Sequence, residues 1–285
     1  MTDMVLRTAR PQPILTLLNP ASMISNLWNQ RDLIRQFAGR FFQARYRGTY
    51  LGTLWALLLP LLMLAVFTFV FNVVFTARGA DPGETRSQYA VWLFCGMIVY
   101  GVFSESVTRS CALVLEHSNY VTKVVFPLEV LPTASLGSAL MFSAFGLLLV
   151  VIGTVVAFHT LPWTLVYLPL VLLPLAALSL GLSWFLASLG VFVRDVSSVV
   201  TIVVSNLLFF LTPIFYKVEQ LPENLRGWAR MNPLATIVEA ARDAMVYGRT
   251  PDLRSLTLVT LASLVVMQLG YAWFMKSKRG FADVL

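Results

Sequence analysis

Six stretches of the chain are long and almost entirely apolar, and short polar or charged stretches separate them. We predict that each stretch is a membrane-spanning helix, at residues 51–75, 89–108, 132–158, 163–192, 198–216 and 255–275. About 20 residues at 1.5 Å per residue cross a hydrocarbon core about 30 Å thick, which each stretch is long enough to do. The predicted fold class is therefore an all-α integral membrane protein with six transmembrane helices.

The segment before the first span has a different pattern, in which apolar residues recur with helical periodicity between arginines. On a helical wheel the apolar positions fall on one side, at Leu33, Ile34, Phe37, Phe41 and Ala44. Cationic residues border that side, at Arg31, Arg35, Arg40 and Arg47. This pattern is typical of an amphipathic helix in the membrane interface, and a nucleic-acid-binding role is disfavoured because a span follows within a few residues. Periodicity leaves two roles open, a simple anchor and a helix that handles an amphiphilic or anionic substrate.

The loop between the fifth and sixth stretches contains two helix-start signals, Leu221-Pro222-Glu223 and Asn232-Pro233. After the second signal, apolar residues recur on one helical face, at Leu234, Ile237, Val238, Ala241 and Met245. The loop thus predicts two short helices. We predict that these helices dip back into the outer leaflet between spans five and six; the alternative that fits the same periodicity is a position flat on the membrane surface.

The distribution of positive charge indicates the orientation. An even number of spans places both termini on one side, and that side carries most of the arginine and lysine. The opposite side holds fewer cations. Those in the long loop lie among acidic residues, which offset their charge; the loop cations are Lys217, Arg226, Arg230, Arg242, Arg249 and Arg254. We therefore predict that both termini are cytoplasmic.

Composition excludes several function classes. The chain is 58% hydrophobic and 12% charged, against about 25% charged in a soluble domain. Its two cysteines, Cys95 and Cys111, lie in or beside apolar runs, and its two histidines, His117 and His159, are isolated, so we predict no disulfide, metal site or catalytic residue. No lysine follows a glycine, so the chain lacks a P-loop for ATP.

Two further features concern side chains within the spans. Glu105 and Arg109 lie four residues apart and are predicted to pair. Aromatic residues are concentrated in the outer halves of spans one and five, at Phe67, Phe69, Phe71, Phe75, Phe209, Phe210, Phe215 and Tyr216. Such rings can stack on sugars, but composition alone leaves lipid contact and core packing open.

Three stretches resemble the ABC-2 type polysaccharide export permeases, which export O-antigen, capsule or teichoic acid polymers. They are ARYRGTYLGTLWALLLPLLMLAVFTFVFNVVF, NYVTKVVFPLEVLP, and VFVRDVSSVV followed by LFFLTPIFYKVEQLPENLRGWARMNPLATIVEAARDAM. The resemblance extends over nearly the whole chain from about Trp28. It implies an interfacial helix, six spans and two re-entrant external helices. It also implies a homodimer driven by two copies of a separate ABC ATPase subunit, with no cofactor on this chain and with ATP and Mg on that partner.

The resemblance also implies three groups of functional residues. A segment that couples to the ATPase would contain Asn119, Tyr120, Lys123, Phe126, Pro127 and Glu129. An interfacial helix at the cytoplasmic entrance would contain Arg31, Arg35, Phe37, Arg40, Phe41, Arg45 and Arg47. A polysaccharide conduit would be lined by Phe67, Phe71, Phe75, Phe209, Phe210, Phe215 and Tyr216.

These predictions combine into one domain over residues 1–285. It comprises an N-terminal extension (1–27), an interfacial helix (28–48), a six-span core (49–276) and a cytoplasmic tail (277–285). The core includes the coupling segment (111–131) and the external helices (217–250). We expect a non-enzymatic permease in the bacterial inner membrane that exports a lipid-linked polysaccharide. The alternatives are an ABC-2 permease for a drug or simple lipid and a membrane-embedded transferase acting on a lipid-linked sugar.

Overall fold

A computed structural model describes residues 18–70, 85–122 and 126–284, apart from the side chains of Thr122 and Arg230. Within these ranges every regular element is helical, which confirms the predicted all-α class. In chain order the helices are α1 (Pro20–Asn29), α2 (Arg31–Ala44), α3 (Trp55–Phe69), α4 (Arg86–Glu116), α5 (Asn119–Thr122), α6 (Val130–Phe158), α7 (Leu168–Phe192), α8 (Val196–Leu211), α9 (Glu223–Met231), α10 (Pro233–Arg242), α11 (Leu253–Ser277) and α12 (Phe281–Val284).

Five of the described helices are long and apolar enough to cross a membrane. They are Gly52–Phe69, Arg86–Glu116, Val130–Phe158, Trp163–Phe192 and Leu253–Val284. These correspond to predicted spans one, two, three, four and six, although residues 71–75 of the first lie outside the described ranges.

The fifth predicted span corresponds to α8, which is shorter than expected. It ends at Leu211, and Thr212 has an extended backbone, so the predicted boundary at 216 is wrong. Pro213 explains the early end, because a proline disfavours a helical conformation in the residue before it. The count of six spans therefore stays a prediction.

Helix α8 also contains a wide π-helical turn at Val203–Leu208. The hydroxyl of Tyr100 in α4 donates a hydrogen bond to the carbonyl of Val204 within this turn. A side chain of a neighbouring helix thus satisfies a carbonyl group of the irregular turn, as buried backbone groups require.

Glycines allow the central helices to pack with their backbones in contact. A Cβ atom on Gly190 of α7 would lie 2.0 Å from the carbonyl oxygen of Cys111 in α4. A Cβ on Gly270 of α11 would lie 2.0 Å from the carbonyl oxygen of Gly181 in α7. Close approach at small residues is a common way for helices to associate in a membrane, and here it joins α4, α7 and α11.

The two helices between α8 and α11, which are α9 and α10, begin at the predicted start signals. The Asn232 side chain caps α10 by accepting a hydrogen bond from the backbone N–H of Leu234, 3.0 Å away. The predicted apolar face is buried at all five positions, the last of which, Met245, lies in the π-helical turn directly after α10. Helix α10 packs against α4, α7 and α11. Helix α9 is more exposed, with Trp228 and Met231 at its surface.

Candidate functional site

The end of the bundle that carries α1, α2 and α5 brings together two predicted groups of residues. Phe37 and Phe41 of α2 are buried against the segment that joins α4 to α6. The ring of Phe37 lies 5.3 Å from that of Phe126, which stacks on Tyr120 at 4.7 Å, while Phe41 lies 5.6 Å from His117. We call these five residues the aromatic cluster. It joins residues predicted for the entrance to residues predicted for coupling, and sequence reasoning did not include His117.

The arginines of α2 and of the turn after it divide into two groups. Arg31, Arg35, Arg40 and Arg47 are exposed. Arg45 instead forms an ion pair with Glu105 of α4, and its guanidinium carbon lies 4.7 Å from the centre of the Phe142 ring. Arg45 therefore ties the end of α2 to the bundle. Of the other four, Arg31 donates a hydrogen bond to the carbonyl of Trp28, and the guanidinium carbon of Arg40 lies 5.5 Å from the centre of the Phe37 ring.

The predicted pairing of Glu105 with Arg109 is wrong, because Glu105 pairs with Arg45. The guanidinium carbon of Arg109 lies 4.8 Å from the centre of the Phe41 ring. A cation placed over an aromatic face is attracted to the ring, so Arg109 supports the aromatic cluster from α4.

Glu129, which was predicted as a coupling residue, is buried with 3% of its surface exposed. One carboxylate oxygen accepts hydrogen bonds from the side-chain amides of Asn26 (3.0 Å) and Gln30 (3.3 Å). The other accepts one from the Nζ of Lys278, 2.8 Å away. These donors come from α1, from Gln30 directly after it and from the turn after α11, so the carboxylate joins two regions that are far apart in the sequence.

The electrostatics of Glu129 favour its charged form. Burial alone would raise the pKa of this carboxyl group, but the Lys278 ammonium and the hydrogen bonds outweigh burial and hold the pKa below its usual value. The ion pair therefore contributes stability above the ordinary glutamate pKa, and this contribution is lost as the pH falls through the depressed value.

A second set of contacts completes the surroundings of Glu129. Its backbone carbonyl accepts a hydrogen bond from the indole N–H of Trp184 in α7, 3.1 Å away. The Trp184 ring packs edge-on against Tyr271 of α11 at 5.1 Å, and the Tyr271 hydroxyl accepts a hydrogen bond from Asn26. Glu129 is thus linked to α1, α7, α11 and the turn that follows α11.

The other predicted coupling residues differ in their exposure. Asn119 is exposed at the start of α5, and Pro127 is partly buried. Tyr120 and Phe126 belong to the aromatic cluster, and Lys123 lies outside the described residues. Of the described members, Asn119 is therefore the most accessible to a partner.

Three rings predicted to line a conduit meet at the C-terminal end of α8. Phe209 lies 5.2 Å from Phe215 and 5.4 Å from Tyr100, while Phe210 lies 5.9 Å from Phe215 and is 63% exposed. The hydroxyl of Tyr216 donates to the carbonyl of Phe210. Phe67 packs against the core from α3, and Phe71 and Phe75 lie outside the described residues.

Arg242, which the charge pattern of the sequence marks only as a loop cation, is buried. Its guanidinium lies 3.5 Å from the centre of the Trp92 ring. It donates hydrogen bonds to the carbonyl oxygens of Pro213 (2.7 Å), Ile214 (2.8 Å) and Trp92 (3.2 Å). Arg242 thus fastens α10 to α4 and to the segment after α8. The signal was its position four residues after Val238, on the apolar face of α10.

Comparison with known families decides how these features are understood. Residues 32–246 match the family described as ABC-2 type transporter. The chain belongs to this family. Together with the apolar helices, this confirms the predicted family and a multi-pass membrane protein that acts as a transport component.

Curated relatives of this ABC-2 type transporter chain have similar lengths and related names. The chain is 28% identical over 202 residues to the O-antigen export system permease protein RfbA of Myxococcus xanthus. The aligned region covers 68% of this chain and 75% of the relative. It is 25% identical over 198 residues to RfbA of Klebsiella pneumoniae (69% and 76%). It is also 24% identical over 187 residues to the polysialic acid transport protein KpsM of Escherichia coli (65% and 72%).

The match to the ABC-2 type transporter family covers part of the site. It includes the aromatic cluster, Glu129 and Arg242. The side chains that bind the Glu129 carboxylate, which are those of Asn26, Gln30 and Lys278, lie before or after it. No group of three or more His, Cys, Asp or Glu side chains in the described ranges is placed to hold a metal ion.

Proposed function

We propose that the chain is the membrane-spanning permease of an ATP-driven exporter that moves a lipid-linked polysaccharide out of the cytoplasm. The observation that carries this proposal is the likeness to export permeases for O-antigen and a transport protein for polysialic acid, over about two thirds of the chain. The substrate class is thus an O-antigen-like or capsule-like polymer, and the membrane is the bacterial inner membrane.

In this proposal the working unit is a homodimer of this chain with two copies of a separate ABC ATPase subunit. ATP and Mg bind to that subunit, in agreement with the absence of a Gly-Lys P-loop from this sequence. Helices α3 and α8 both expose large apolar side chains, among them Leu62 and Phe69 on α3 and Leu207 and Phe210 on α8. Exposed apolar faces of this kind can pack together in an interface between two copies of the chain.

The proposed topology has six spans, with α8 as the fifth, and both termini in the cytoplasm. The distribution of arginine and lysine supports this orientation. Helix α10 would re-enter the outer leaflet, and the burial of its apolar face by α4, α7 and α11 supports that placement over a position flat on the membrane. Sugar units would pass the aromatic rings at the outer end of α8.

Reconstitution provides the test of this function. The chain and its ATPase subunit are placed in vesicles with lipid-linked polysaccharide outside, and polymer protected inside the vesicles is measured. We expect protection that requires ATP and Mg and that disappears when the ATPase subunit lacks its P-loop lysine. Turnover of a lipid-linked sugar by the chain alone, without ATP, would contradict the proposal and indicate a transferase. ATP-driven movement of only a drug or simple lipid would also contradict it.

The exposed arginines of the α2 region lead to a prediction about substrate binding. We expect the double variant Arg40→Gln/Arg47→Gln to require about ten times more lipid-linked substrate for half-maximal export, because charge-assisted bonds to a lipid diphosphate are lost. The midpoint of thermal unfolding should fall only slightly, since both side chains are exposed and the contact of Arg40 with the Phe37 ring is worth about 0.5–1 kcal/mol at an exposed site. Arg45→Gln should instead lower that midpoint, because it breaks the ion pair with Glu105.

Arg254→Gln is the matched control for the double variant. Arg254 is exposed at the start of α11, on the side of the membrane opposite to α2 in the proposed topology. Its replacement should alter neither the substrate requirement nor the unfolding midpoint. Unchanged export by Arg40→Gln/Arg47→Gln would show that α2 is an anchor only.

A further inference from the structure

The segment predicted to receive the ATPase is bonded on its buried side to α1 and to the turn that follows α11. Asn26 in α1 and Lys278 after α11 donate hydrogen bonds to opposite oxygens of the Glu129 carboxylate. Gln30 adds a third donor and is itself bonded to Asn26 at 3.0 Å. The carboxylate is therefore the point at which the first and last helical regions of the described chain meet.

The tail that carries Lys278 packs against the helical bundle. Phe281 is fully buried, with its ring 5.7 Å from that of Phe274 and 5.8 Å from that of Phe192. Helix α12 also lies against α5. The tail consequently has a fixed position from which Lys278 can hold Glu129.

The network around Glu129 forms a closed circuit. Glu129 is bonded to Asn26, Asn26 to Tyr271, and Tyr271 packs on Trp184, whose indole N–H returns to the Glu129 carbonyl. A displacement of residue 129 therefore changes contacts in α1, α7 and α11 at once. A simple surface connector would lack these bonds.

We propose that Glu129 and Lys278 are positioning residues that transmit movement of the coupling segment to α1 and α11. The inference rests on the proposed function, because it assumes that an ATPase subunit moves residues 119–129. Glu129 itself does not meet that subunit, since its carboxylate lies inside the protein. The pair determines how much polymer is moved for each ATP that is hydrolysed.

The experiment compares variants of the full chain with its ATPase subunit in the same vesicles. Lys278→Gln and Glu129→Gln keep polar side chains of similar size, so Asn26 and Gln30 retain an acceptor. We expect each to lower the polymer exported per ATP roughly five-fold or more, while ATP hydrolysis continues. Lys278→Arg should keep the ratio, because arginine still donates to the Glu129 carboxylate. Lys276→Gln, which removes an exposed cation from the same region, should leave the ratio unchanged.

Three outcomes would count against the inference. An unchanged ratio in Lys278→Gln would overturn it, because export would then not depend on the pair. A lower unfolding midpoint with export and hydrolysis falling in proportion would also overturn it, since the pair would then be only structural. Export by the unaltered chain separates these results from failure of the proposed function. If the unaltered chain exports no polymer, the proposed function fails and this inference fails with it.

Discussion

Replacement of Gly270 by valine is expected to separate α7 from α11 and to destabilise the protein severely. A Cβ atom at this position would lie 2.0 Å from the carbonyl oxygen of Gly181, and that oxygen belongs to the backbone, so no side chain can move aside. Overpacking typically costs about 1–3 kcal/mol, and contact with a backbone atom places this site at the upper end or beyond. We expect the midpoint of thermal unfolding in detergent to fall by roughly 5–10 °C.

The matched control is Gly101→Ala in α4. A Cβ atom there meets nothing within 4 Å, and alanine favours a helix over glycine by about 1 kcal/mol. The control should therefore unfold at the same temperature as the unaltered chain or slightly above it. A Gly270→Val protein that unfolds within about 2 °C of the unaltered chain would show that the two helices do not pack at this glycine.

Replacement of Arg242 by methionine is expected to release α10 from α4 and from the segment after α8. The carbonyl groups of Pro213 and Ile214 would lose the guanidinium donors, and each buried carbonyl left unpaired costs about 1–3 kcal/mol. Methionine keeps much of the length and apolar volume, so the change tests the hydrogen bonds rather than the packing. We expect an unfolding midpoint lower by roughly 10 °C, together with faster proteolysis of the segment between α8 and α11.

Two companion variants check the role of Arg242. Arg249→Met removes an exposed arginine a few residues away and should change the stability by less than about 0.5 kcal/mol. Gly96→Val should resemble Arg242→Met, because a Cβ on Gly96 would lie 2.4 Å from a guanidinium nitrogen of Arg242. Equal stability of Arg242→Met and Arg249→Met would contradict the proposed anchoring of α10.

The sequence predicts most of the helices because the length of an apolar run is itself the signal for a span. Local capping signals likewise predicted where α9 and α10 begin, as the Asn232 cap of α10 shows. The fifth span was extended too far because residues 212–216 are apolar and aromatic without being helical. Hydropathy reports burial in an apolar environment but not helical conformation. Pro213 was therefore the better signal for the end of α8.

The candidate site was less accessible to sequence reasoning, because its bonds join residues far apart in the chain. Glu129 and Lys278 are separated by 149 positions, and no local pattern links them. Arg45 looked like its neighbours in α2 until the structure placed Glu105 beside it. The roles of the entrance, coupling and conduit residues remain predictions, whereas their positions in the described ranges are now known.

The wide turn at Val203–Leu208 gives α8 extra backbone that a regular α-helix of the same length would not contain. A π-helical turn, with hydrogen bonds between residues five apart, contains more residues than an α-helical turn. Each residue added to or removed from the turn therefore rotates the part of α8 after it by about 100°. The rings of Phe209 and Phe210 stand directly after the turn. If the π-helical turn rewound into a regular α-helix, the rings of Phe209 and Phe210 would rotate about the axis of α8. The half of α8 before the turn would keep its position.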